Sequence, residues 1–96
     1  IAELEPFFVQ GDMDEGIWSE PPPAATTRVA WRLGDELLVM AFNDGTAAPA
    51  EVMVPVPPGL RLLRADHGTG PVLDGGVLKA AVPALGYTWA VMGPVR

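Results

Sequence analysis

Residues 29–42 read VAWRLGDELLVMAF, and this stretch decides the fold. Thr27, Val29, Trp31 and Leu33 alternate with Thr26, Arg28, Ala30 and Arg32. Period-two alternation is the signature of a half-buried strand. Gly34-Asp35 suits a tight turn, because glycine tolerates positive φ and aspartate tolerates left-handed backbone. Beyond it, Leu37, Val39 and Ala41 occupy one face of a second strand, and Leu38, Met40 and Phe42 the other. A strand in a two-sheet sandwich needs only one apolar face. Burying a large aliphatic side chain is worth about 1.5–3 kcal/mol, so three left in water would be costly. Something is therefore expected to cover Leu38, Met40 and Phe42. The candidates are a segment of the same chain, such as the N-terminal arm, a neighbouring domain, or a second copy.

Working outward, Asn43-Asp44-Gly45 is a turn signal. Val52, Val54 and Val56 alternate with Met53 and Pro55, a strand whose proline places it at a sheet edge. Short strands follow at Leu60–Arg64 and Val72-Leu73, and Val77–Val82 and Tyr87–Met92 read as a last pair separated by Pro83–Gly86. The spacing predicts an all-β domain, an antiparallel two-sheet β-sandwich. Upstream, Ile1–Glu5 reads as the last turn of a helix stopped by Pro6, with Phe7–Val9 opening an edge strand. Residues 11–23 are loop-like, punctuated by Gly11, Gly16 and Pro21-Pro22-Pro23. Residues 1–23 form an arm and an acidic, proline-rich loop, and 24–96 the sandwich core.

The 96 residues make one domain. An apolar fraction of 49% against 19% charged argues for a globular chain, and the 11 prolines and 11 glycines suit strands joined by turns. The formal net charge of −6 argues against nucleic acid and anionic membrane surfaces as partners. No run approaches the roughly 18 apolar residues of a membrane span. With no cysteine, disulfides and thiolate chemistry are excluded. The opening IAELEPFF carries acids where a secretion signal carries basic residues, and the absence of an initial Met reads as a fragment, a mature product or an excised domain.

No constellation of catalytic residues stands out. His67 is the only histidine and Ser19 the only serine, so Asp66-His67 lacks a nucleophile to activate. One histidine without cysteine does not make a zinc site. Asp12, Asp14, Glu15 and Gly16 resemble a calcium loop only in part, since Ile17 stands where the motif wants glycine and Pro23 where it wants glutamate. Gly68, Gly70 and Gly75-Gly76 lie in no phosphate-binding motif. Paired carboxylates hydrolyse glycosides only across a cleft, and most acids here sit in turns or in the leading segment. No cofactor is expected. Among the aromatics, Trp31, Trp89 and Tyr87 fall within strands and read as core. Trp18 lies in a polar, proline-flanked loop, either as a plug over a sheet end or as an exposed platform for a sugar ring.

The order of these features resembles the C-terminal β-sandwich that follows the catalytic barrel in glycoside hydrolases of the α-amylase superfamily and related enzymes. The likeness rests on IAELEPFFVQGD, read as a barrel helix running out, on VAWRLGDELLVMAFNDG, on EVMVPVPPG, and on the ending VPALGYTWAVM. It departs at Ala84-Leu85, where such domains more often carry proline and an aromatic, and in the insertion 11–23. The resemblance implies a non-catalytic accessory domain docked on a catalytic barrel, with Leu38, Met40 and Phe42 at or near the docking surface. Two other classes fit the same residues: a carbohydrate-binding module using Trp18 with Trp31 or Tyr87, and a stand-alone structural or self-associating sandwich.

Overall fold

A computed structural model describes residues 4–14, 17–18, 26–45 and 50–95. The fold is an antiparallel, all-β sandwich with one short helix. A five-stranded sheet in the order β1-β2-β3-β8-β5 faces a three-stranded sheet in the order β4-β7-β6. The strands are β1 (Asp12–Met13), β2 (Thr26–Leu33), β3 (Glu36–Asn43), β4 (Ala50–Pro55), β5 (Leu60–Ala65), β6 (Val72–Asp74), β7 (Val77–Val82) and β8 (Tyr87–Pro94).

The central hairpin forms as its alternation requires. β2 and β3 meet at Gly34-Asp35, where Gly34 takes φ 62°, a left-handed conformation that a side chain would disfavour. Ala30, Leu37, Val39, Ala41, Ala90 and Met92 of the larger sheet pack between the sheets against Val52, Val54, Leu78, Ala80 and Val82 of the smaller one. The more hydrophobic side of β2, carrying Trp31 and Leu33, faces outward instead, beside Leu38 of β3. β4 is an edge strand, as Pro55 predicts.

Two local expectations are corrected. Pro6 does not stop a helix; it lies in the first turn of α1 (Glu5–Gln10). Proline is accommodated there because its missing N–H would have no partner in the helix anyway. Phe7, Phe8 and Val9 are therefore helical and not an edge strand. The last two strands are not hydrogen-bonded to one another either. β7 lies at the centre of the smaller sheet and β8 between β3 and β5 in the larger. Residues 88–93 of β8 are all buried, so this strand needs cover on both faces, which the middle of the larger sheet supplies.

The crossover from β7 to β8 is tied to the end of β3. Asn43 donates its Nδ2–H to the Val82 carbonyl at 3.1 Å and accepts the Gly45 N–H on Oδ1 at 3.0 Å. Its own N–H donates to the Gly86 carbonyl at 2.9 Å. Asn43→Ala would leave the buried Val82 carbonyl and the part-buried Gly45 N–H without this partner and is expected to cost about 1–3 kcal/mol, measured by urea unfolding.

Candidate interaction surface

The candidate site is the outer face of the five-stranded sheet. Antiparallel register lines up three rows across β2, β3 and β8: Trp31, Leu38 and Val91; Val29, Met40 and Trp89; and Thr27, Phe42 and Tyr87. The first two rows contain the bulk of an apolar cluster separate from the sandwich core. Leu38, Trp89 and Val91 are buried there with Leu4 and Phe7 from the N-terminal arm, and Trp31, Leu33 and Met40 pack around them. Phe8 stands edge-on to Trp31, with ring centroids 4.8 Å apart.

α1 thus covers part of the face that the sequence left without a partner. Leu38 is sealed beneath the chain's own arm, at 0% exposure, so a neighbouring molecule would meet α1 before it met Leu38. Met40 is half-buried at the margin of the cluster. Phe42 is half-buried too, but outside the cluster. It packs against Tyr87 at 6.0 Å between centroids, and Tyr87 is 42% exposed. On the helix, Phe8 and Val9 also remain exposed. The result is a sealed centre flanked by apolar surface on both sides. At the rim of the third row, the Thr27 hydroxyl donates to the Asp44 carboxylate.

Trp18 sits on the other side of the larger sheet. It packs on the sandwich core, and its indole N–H donates to the Pro55 carbonyl of β4 at 2.8 Å. The Arg28 guanidinium lies 4.6 Å from the ring centroid, a cation–π arrangement. Trp18 thereby bridges the two sheets as a plug, and a sugar approaching it would meet an indole already engaged by Arg28 and Pro55. The remaining residues proposed for sugar contact are dispersed, since Trp31 belongs to the α1 side and Tyr87 to the opposite end of the outer face.

Two depressions among the described residues lie away from this face. An open groove of about 640 Å³ lies between the edges of β5 and β6, lined by Leu60, Leu62 and Leu73 with Arg61 at its rim. A smaller cleft of about 390 Å³ includes Arg64, Asp66, His67 and Trp89. The Asp66 carboxylate there accepts the Gly68 N–H at 2.9 Å and the Thr69 hydroxyl at 3.1 Å, and so shapes its own turn instead of orienting His67. Of the partial calcium motif, Glu15, Gly16 and Pro23 lie outside the described residues. Asp14 is paired with Arg32 at 3.1 Å.

Two features of this surface escaped the sequence reading. The arm is among the covers the sequence offers for this face, but its helical form is not legible while Pro6 reads as a stop and not a start; Glu5 before it, an acid in the first turn, is the available signal. The burial of β8 on both faces was legible in the run Trp89-Ala90-Val91-Met92, which has no polar residue to face water. No family model, no curated protein and no solved structure matches this chain.

Proposed function

We propose that this chain is a non-catalytic accessory domain of a carbohydrate-active enzyme, packing against and stabilising a catalytic barrel. The observation that carries the reading is the outer face of the larger sheet. Its two central strands are apolar on both sides, and the chain's own helix covers only part of what that leaves. Docking would engage Phe42 and Tyr87 at one end and the exposed side of α1, with Phe8 and Val9, at the other. Met40 would lie at the margin, and Leu38 would support the surface from beneath. The order of motifs from the arm to the Val82-Pro83…Gly86-Tyr87…Trp89 ending supports a glycoside hydrolase as the parent.

The test has two arms. The chain alone, assayed on common polysaccharides and aryl glycosides, is expected to give no turnover; reproducible hydrolysis would overturn the reading. Produced within its full open reading frame, it is expected to melt together with a barrel-sized catalytic region in a single calorimetric transition. A free dimer detected by light scattering, with Phe42 and Tyr87 at its interface, would favour the self-associating sandwich instead.

A further inference from the structure

β5 and β6 are edge strands of the two sheets, and the groove of about 640 Å³ lies between them. Val56, Leu60, Leu62 and Leu73 pack against the sandwich core yet stay half-buried, so the rest of their surface lines the groove. Val72 adds an exposed aliphatic side chain to the wall. The other described lining residues are prolines, glycines and Arg61. Main-chain bonds hold the loops at the groove in place. The Val56 N–H donates to the Gly76 carbonyl at 3.0 Å, and the Val95 N–H to the Gly59 carbonyl at 2.9 Å. A preformed apolar concavity of roughly 300–1,000 Å³ with very few polar groups is the usual form of a small-molecule site.

Arg61 sets the chemistry of the occupant. Among the described basic residues, Arg32, Arg64 and Lys79 pair with carboxylates, and Arg28 lies over the Trp18 ring. Arg61 has no acidic or aromatic partner among the described residues, although the chain carries 12 acids against 6 basic residues. The unmatched charge therefore stands at the rim of the one large aliphatic groove found among those residues. A sugar would need aromatic faces or neutral hydrogen-bonding side chains, and the described lining has neither. We propose that the groove binds a small aliphatic carboxylate, its chain against Val56, Leu60, Leu62 and Leu73 and its head on the Arg61 guanidinium. Guanidinium and carboxylate match as two parallel N–H···O bonds, and the aliphatic part gains by leaving water. One cation suits a monoanion better than a doubly charged phosphate. The site needs no second domain, so its fate is separate from that of the docking surface.

Octanoate titrated into the isotope-labelled chain is expected to shift the amide signals of Leu60, Arg61, Leu62, Leu73 and Gly75 to saturation. Octanol, the same chain without the charge, is expected to bind about three- to tenfold more weakly, and Arg61→Gln to weaken octanoate by a similar factor. Arg61 is exposed on an edge strand, so the variant is expected to keep the melting temperature of the parent. Shifts that are absent, that fail to saturate, or that gather around Phe42 and Tyr87 would overturn the proposal. Octanol binding as tightly as octanoate, or an Arg61→Gln variant of unchanged affinity, would do the same. Maltose moving the same signals would make the groove a sugar site and overturn it too.

Discussion

Leu38→Ala is expected to destabilise the domain by about 2–5 kcal/mol, as much as Leu37→Ala on the opposite face of β3. Adjacent residues of a strand point to opposite faces, so in a simple sandwich one of the pair would be nearly neutral. Here both are fully buried, Leu37 between the sheets and Leu38 beneath Leu4 and Phe7. Each substitution removes the same atoms and leaves a cavity that β3, bonded to β2 and β8 on either side, cannot collapse to fill. Since a small domain has only about 5–15 kcal/mol of stability in all, either change should be plain in urea unfolding. A cost for Leu38→Ala below about 1 kcal/mol would mean that α1 does not seal the face in solution.

Gly11→Ala is expected to unseat the same helix at about 1–3 kcal/mol, with a rise in hydrophobic-dye binding and faster proteolysis of the arm. Gly11 joins α1 to β1, and a Cβ there would lie 2.6 Å from the Phe7 carbonyl oxygen and 3.0 Å from that of Arg32. Both obstacles are backbone, one in the helix and one in β2, so neither can rotate away. The backbone angles are ordinary, with φ −80°, and the demand is for space alone. Gly93 makes the natural control. Its nearest obstacle, at 2.7 Å, is the Leu63 Cδ1 methyl at the end of a side chain that can move. Gly93→Ala should therefore cost less and leave the arm in place. Equal effects at the two positions would show that crowding by backbone is not what fixes α1.

The parts of this fold that were legible are those where local chemistry and tertiary position agree. Gly34-Asp35 marked the central turn because only that dipeptide interrupts the alternation. Pro55 marked an edge because it cannot donate to a neighbour. The parts that were not legible depend on which sheet a strand joins. Val77–Val82 and Tyr87–Met92 look like a hairpin in one dimension. They join different sheets, and the crossover between them is tied to β3 by the buried Asn43, whose amide binds the end of β7 from 39 residues away in sequence. Trp18 was ambiguous for a similar reason, since its partners Arg28 and Pro55 are a plug's partners only once the sheets are stacked. At the candidate surface, Leu38, marked from its place in β3, lies beneath the arm and not in the outermost layer. The helix that overlies Leu38 begins with a residue that, read alone, ends helices.

The strands at the margins of both sheets have one further consequence. β1 has two residues and β6 three, β4 ends in Pro55 with its carbonyl taken by Trp18, and β5 is interrupted by a bulge at Leu63 and carries the exposed Arg61 and Arg64. None of them is a long, flat template on which a stray polypeptide could zip up through its main chain. Main-chain zippering of crowded copies into fibrils should therefore be disfavoured at these four strands.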